Sequence, residues 1–177
     1  VSDAPIVIDQ GPGLPKWKPS NYSNKFYGPS TLRTGIEKSR NLMTARLALD
    51  LGMASIQEIS KRFGINENMP NLLSMSLGAG ETTLLKLVNA YAMIVNGGKK
   101  INSTLIDRIQ DRRGNTIFQF DKRDCINCNP KNGWQDQLPP EIVDNRISIT
   151  DPSSAYQMTS MLKGVIDRGT GIKLKKL

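Results

Sequence analysis

The chain has 177 residues, a net charge of +8 and no histidine. That length suits one ordinary domain, and 38% hydrophobic with 23% charged residues is the make-up of a soluble globular protein and excludes a disordered chain. Without imidazole, Ser-His-Asp and Cys-His catalysis and most zinc sites are excluded, so lysine, carboxylates or hydroxyls must carry any acid–base work.

No apolar run reaches the length of a membrane span, and nothing resembles a signal peptide. The chain starts at Val1 and not at Met, which reads as a processed or excised polypeptide. A sequence pI of 9.6 favours anionic partners such as nucleic acid, anionic lipid or wall polymers. The positive charge is spread along the chain except at Lys173, Lys175 and Lys176, and most of it reads as solvated surface.

In chain order, "APIVID" is a short apolar, β-prone run. "QGPGLPKWKPSNYSNKFYGPS" follows as a loop, since Gly11, Pro12, Gly13, Pro15, Pro19, Gly28 and Pro29 punctuate it. Its aromatics Trp17, Tyr22, Phe26 and Tyr27 are expected to pack on the domain rather than to stack on bases. "STLRTGIEK" predicts a short helix capped by Ser30, with Leu32 and Ile36 inward. "RNLMTARLALDLG" predicts a second, with Leu42, Ala45 and Leu49 on one face and Gly52 as its stop. "SIQEISKRFG" predicts a third, opened by a Ser55/Glu58 capping box and ended by Gly64. The strongest helical signal is "ETTLLKLVNAYAMIVNGG", where Leu84, Leu87, Val88, Tyr91 and Val95 recur at helical spacing before Gly97 and Gly98.

Beyond it, "LIDRIQD" and "TIFQFD" flank "RRGN" as a hairpin, with Gly114 and Asn115 supplying the positive φ of the turn. Residues 122 to 144 read as loop, marked by Cys125, Cys128, Pro130, Gly133, Pro139 and Pro140. "RISIT" reads as a strand. A last helix runs through "DPSSAYQMTSMLKGVIDRG", with Asp151 as N-cap, Pro152 in the first position and Gly169 as its end. Helices, then a hairpin, a strand and a helix make an α+β chain, not an alternating βαβ one.

Four features invite a chemical reading. "ARLALDLGMASIQEISKRFGI" has the outline of a helix-turn-helix, but the second helix keeps its basic residues, Lys61 and Arg62, at the C-terminal end, away from where such helices read bases. Cys125 and Cys128 form a C-x-x-C that supplies only half a zinc site and lacks a redox-motif context, leaving a local disulfide or two structural thiols. Ser160 and Lys163 match S-x-x-K by spacing, but Ser160 lies off the apolar face of Ala155, Met158, Leu162, Val165 and Ile166, and a core helix with a solvated lysine explains them. Ser39-Arg40-Asn41 stands at a helix start, where capping alone accounts for most serines and asparagines.

The surrounding run changes the weight of that tripeptide. "DAPIVID…WKPSNYSNKFYGPSTLRTGIEKSRNLMTARLALDLG", "SLGAGETTLLKLVNAYAMIVNGG", "LIDRIQDRRGNTIF" and "AYQMTSMLKGVIDRGTG" together resemble the transpeptidase domain of class A penicillin-binding proteins, over nearly the whole chain. The family's motif set is S-x-x-K, then S-x-N, then K-T-G, and Ser39-Arg40-Asn41 fits the second. The resemblance implies the penicillin-recognising α+β fold, helices around an antiparallel sheet. It also implies attack by an S-x-x-K serine on the D-alanyl-D-alanine end of a stem peptide, with Ser39 relaying a proton and Asn41 holding the substrate backbone and the lysine. Arg40 takes no catalytic role.

Nothing before Ser39 fits S-x-x-K, Ser160–Lys163 comes too late in chain order, and no K-T-G occurs. Residues 1–177 are therefore expected to be an internal fragment of a single transpeptidase domain, inactive by itself. The resemblance implies no cofactor or metal. It implies peptidoglycan stem peptides and β-lactams as ligands, and excludes nucleic acid. A periplasmic site at the inner membrane, an anchor and a glycosyltransferase domain elsewhere in the parent, and other cell-wall synthesis proteins as partners belong to the same expectation. In that compartment Cys125 and Cys128 are expected to form a disulfide. Rival readings are a penicillin sensor or β-lactamase-like domain, and a basic, non-enzymatic DNA-binding protein.

Overall fold

A computed structural model describes residues 1–9, 11–13, 15–123, 125–126, 128, 136 and 138–176. Pro130 and Gly133, part of the expected loop, lie outside the described residues. The elements run β1 (Ser2–Asp3), β2 (Gly28–Pro29), α1 (Leu32–Glu37), α2 (Asn41–Leu51), α3 (Met53–Arg62), α4 (Leu84–Val95), β3 (Arg108–Gln110), β4 (Thr116–Gln119), β5 (Cys125–Ile126), β6 (Glu141–Ile142) and α5 (Pro152–Asp167). Short 3-10 turns occupy Leu73–Leu77 and Ile172–Lys176. Among the described residues the strands pair as three antiparallel couples: β1 with β2, β3 with β4, β5 with β6. The architecture is α+β, a helical body with short hairpin-like additions.

The helix boundaries follow from their caps. Thr31, not Ser30, caps α1, its hydroxyl accepting from the Thr34 N–H at 3.2 Å. Ser30 sits just past the end of β2, its N–H donating to the Val1 carbonyl and its hydroxyl to the Gly28 carbonyl, so it leaves the cap to Thr31. No capping box opens α3. The helix starts at Met53, directly after Gly52 at φ +78°, so Ser55 lies inside it and donates back to the Leu51 carbonyl. Asp151 caps α5 as expected, accepting from the Ser154 N–H at 2.8 Å, with Pro152 next. Hydrogen bonds from the Ser153 hydroxyl and then from Ser154 hold its carboxyl well below the usual carboxylate range.

The hairpin β3–β4 forms, with a bulge between Ile109 and Gln110. Of its turn residues only Gly114 has positive φ; Asn115 does not, and instead bonds the Asp111 carboxylate through both its backbone and its side chain. "APIVID" forms no strand of its own: the chain pairs at Ser2–Asp3, and Ile8 makes a single bridge to Trp17. "RISIT" likewise contributes one bridge, Lys99 to Ser148. That bridge is possible because Gly98, at φ +79°, lies against the Thr150 carbonyl where a Cβ would collide. The expected loop at 122–144 contains the β5–β6 couple, which brings Cys125 opposite Ile142. The Cα atoms of Cys125 and Cys128 are 5.5 Å apart.

Phe63, Ala90, Met93 and Ile149 form a core flanked by Ile65, Ile94 and Ile101, where α3 and α4 meet the segment before α5. In α2 the buried residues are Leu42, Met43, Ala45 and Ala48. Leu49 is exposed, as is Leu32 in α1. The periodic face of α4 is also open: Leu84, Leu87, Val88, Tyr91 and Val95 are exposed, and the buried residues are Ala90 and Met93. Of the loop aromatics, Tyr22 and Phe26 are exposed and do not line the domain as expected, whereas the half-exposed Tyr27 lies against Arg40.

Because Leu42 is fully enclosed and Leu49 half open, Leu42→Ala is expected to cost about 3 kcal/mol and Leu49→Ala under about 1 kcal/mol. Urea unfolding of the two variants measures the difference, and equal costs would contradict this packing.

Candidate functional site

Two helices meet end to start at Ser39-Arg40-Asn41. Lys38 is the C-cap of α1, and Ser39 follows it at φ +51°. The Ser39 N–H donates to the Ile36 carbonyl at 3.1 Å, and the Arg40 N–H donates to the Gly35 carbonyl at 2.8 Å. That pair of bonds is a Schellman motif, with Ser39 in the left-handed position usually given to glycine. The sequence places the tripeptide at a helix start; the structure makes Ser39 the end of the helix before it. Its hydroxyl is exposed and bonds no described residue.

Arg40 is the N-cap of α2, yet no side chain of the tripeptide caps that helix. The cap comes from 21 residues upstream: Asn21 Oδ1 accepts from the Leu42 N–H at 3.3 Å. The same Asn21 amide donates to the Asp3 carboxylate at 2.7 Å and to the Lys25 carbonyl at 2.9 Å. One amide that both accepts and donates thus welds the loop, β1 and the start of α2. Asn41 Nδ2 donates to the Ser20 carbonyl at 3.0 Å, which fixes its plane and leaves its carbonyl oxygen without a described partner. Arg40 lies over the Tyr27 ring, 3.3 Å from its centroid, with its Nε 3.9 Å from Asp3 Oδ2. The Ser23 hydroxyl and then the Arg40 guanidinium hold the Tyr27 phenol below its ordinary value.

Ser39 and Asn41 are therefore brought together on one junction, while Cys125 lies apart on β5, with Cys128 just beyond that strand. Ser160 and Lys163 do not form a second site. Arg33 of α1 donates to the Ser160 hydroxyl and carbonyl at 3.3 Å, and Lys163 is exposed. In the helix-turn-helix outline, Arg62 is engaged within the chain, pairing with Glu58 and donating to the Ile149 carbonyl at 3.2 Å. Among the described residues no cluster of three or more Cys, Asp or Glu is placed to hold a metal. Sequence reasoning missed Asp3 and Asn21. Only the P-x-N within "KPSNY" hinted at the latter, because its partners are remote in the chain.

Residues 2–175 match the family model described as penicillin binding protein transpeptidase domain. The chain belongs to the penicillin-binding protein transpeptidase family. It is 50% identical over 177 residues to penicillin-binding protein 1A of Rickettsia bellii, covering 99% of this chain and 22% of that protein. Against penicillin-binding protein 1A of Neisseria meningitidis it is 33% identical over 172 residues, 96% of this chain and 19% of the other. The chain thus spans about a fifth of the length of these relatives. Its fold matches the crystal structure of penicillin-binding protein 1A from Haemophilus influenzae with a TM-score of 0.78 at 24% identity, covering 99% of this chain and 28% of that one. A D,D-transpeptidase domain of a peptidoglycan glycosyltransferase from Eggerthella lenta gives 0.70 at 19%, covering 97% and 44%.

A serine in the left-handed region costs about 1 kcal/mol that glycine does not. Ser39→Gly is accordingly expected to unfold at higher urea than Ser39→Ala, by about 1 kcal/mol. Equal stability of the two would show that the junction carries no such strain.

Proposed function

We propose that these residues form part of one transpeptidase domain in a longer penicillin-binding protein. That protein crosslinks peptidoglycan stem peptides through an acyl-serine intermediate and is acylated by β-lactams at the same serine. The observation that carries this reading is the Ser39 hydroxyl: exposed, unengaged, and held by a Schellman turn beside the fixed amide of Asn41. A serine that served only as a cap would spend its oxygen on a helix N–H, and here Asn21 performs that duty.

In the reaction, the S-x-x-K serine and its lysine come from the parent chain outside these residues. Ser39 passes a proton toward the departing amine nitrogen, which keeps the leaving group from departing as an anion. The open carbonyl oxygen of Asn41 accepts from an N–H of the bound peptide or from the lysine ammonium, while Ser20 stops the amide from rotating. Penicillin takes the place of the stem peptide, and its acyl-enzyme stays in place.

Two further observations support a longer chain. The relatives are about five times longer, and beside the exposed Leu84, Val88 and Val95 of α4, Leu87 and Tyr91 line an apolar groove of about 390 Å³ with Phe63, Ala90, Ala155 and Leu162. A contiguous apolar surface of that kind is rare on a complete monomer. We assign its cover to the remaining parts of the same domain. No described helix is long and apolar enough to cross a membrane, and the anchor at the periplasmic face of the inner membrane is assigned to the parent. That compartment is oxidising, so Cys125 and Cys128 stay joined as a disulfide in native protein.

Incubated alone with labelled penicillin and run on a denaturing gel, the 177-residue chain is expected to show no covalent band, while the parent shows one. Ser39→Ala in the parent is expected to slow acylation about 100-fold or more. A band on the isolated chain, or normal acylation of the variant, overturns the assignment. For the cysteines, Ellman titration of native protein is expected to find no free thiol before reduction; two thiols would remove the disulfide.

A further inference from the structure

Glu37 is an almost fully buried carboxylate, and the S-x-N reading gives it no task. It sits on α1, two residues before Ser39, and its side chain meets Arg168 at the end of α5. Arg168 Nε donates to Glu37 Oε2 at 2.9 Å while its Nη2 donates to Oε1, a two-pronged pair. Gly164, one turn earlier on α5, leaves the room: a Cβ there would run into the Glu37 carboxylate.

The backbone is tied as well. The Glu37 carbonyl, left orphaned at the end of α1, accepts from the Thr170 N–H at 3.1 Å. In return, Lys38 Nζ donates to the Arg168 carbonyl. Gly169 passes so close to the Glu37 carbonyl that it too has no room for a Cβ. Residues 37–38 and 168–170 are thus cross-linked through both side chains and main chain, across some 130 positions of sequence.

We propose that Glu37 and Arg168 are a positioning pair for the acyl-transfer site. They fix the angle at which the Schellman turn presents Ser39, and they hold that turn in register with the Arg168-Gly169-Thr170-Gly171 segment. The proposal rests on the transpeptidase reading above. Neither residue touches substrate; each acts through Ser39. A plain structural ion pair would serve α1–α5 packing anywhere along the seam. This one lies at the end where α1 stops, with the Glu37 carboxylate held by Arg168 and the Glu37 carbonyl by Thr170, two residues on. One turn back on α1, Arg33 bonds Ser160 and sets a single guanidinium nitrogen 3.5 Å from Glu37 Oε1, a looser contact than the Arg168 fork.

The test uses the full-length parent, with Arg168→Lys, which keeps the charge but loses the fork, Glu37→Gln, which keeps the shape but loses the charge, and Ser160→Ala as the seam control. Acylation by a fluorescent penicillin is measured across concentration, separating the saturating rate from the apparent affinity, alongside thermal unfolding. Arg168→Lys and Glu37→Gln are expected to lower the saturating rate about tenfold, with affinity held within about twofold. Ser160→Ala is expected to leave both unchanged even where its unfolding temperature falls. Should Arg168→Lys be recovered unfolded, Glu37→Gln decides. Saturating rates that stay normal, or that fall only in step with lost folded protein as in the control, overturn the proposal while wild-type acylation upholds the transpeptidase reading. A wild-type parent that takes up no penicillin overturns both.

Discussion

A carboxylate with no exposed surface must be answered by its neighbours, and Asp3 imposes that requirement on the N-terminal third of the chain. Asn21 donates to one of its oxygens; the other has no hydrogen bond and faces the Arg40 guanidinium at 3.9 Å. The Tyr27 N–H completes the ring by donating to the Asp3 carbonyl. Removing one partner from a buried charge of this kind costs about 3–5 kcal/mol. The loop from Trp17 to Tyr27 is therefore pinned at its centre, although most of its side chains are in solvent. Arg46 of α2 adds a second tie, donating to the carbonyls of Ser2, Ala4 and Pro5.

The chemistry proposed for the tripeptide depends on that pinning. Since Asn21 caps α2, Ser39 need not; since Arg40 is committed to Asp3 and Tyr27, the middle position of the motif is structural. What remains free on the junction is a hydroxyl and an amide oxygen. A left-handed serine persists only where the surroundings over-determine it. Here the α1 carbonyls hold it from one side and the Asn21-capped helix from the other.

Local signals in the sequence were legible where one residue type answers one local need. Asp151 followed by Pro152 marks the start of α5, Gly52 separates α2 from α3, and Gly114 turns the hairpin. The α+β class was readable for the same reason, and the family through the resemblance of whole runs of sequence. Local reading failed where a distant partner had already taken the residue. Ser30 is tied to Val1 and Gly28 and so leaves the cap to Thr31; Ser55 matched a capping box but fell inside a helix that Gly52 had already started. The cap of α2 was invisible because its donor and acceptor are 21 residues apart. Nothing local marks Glu37 on its short helix, and only the approach of Gly164 and Arg168 makes it buried.

Periodicity poses a different problem. The stripe Leu84, Leu87, Val88, Tyr91 and Val95 was read correctly as a helix face, and α4 forms over those residues. Yet the face is open, while Ala90 and Met93 on its other side are enclosed by Phe63 and Ile149. Both sides of α4 are apolar, which is the pattern of a helix buried all round. Within these residues α5 and α3 cover one side only. Small residues such as Ala90 let those helices approach closely, whereas the large residues opposite need a partner with volume to offer. An apolar stripe thus identifies a surface that must be covered without naming what covers it. In α4 the two sides have different partners, and the proposed remainder of the domain is the second.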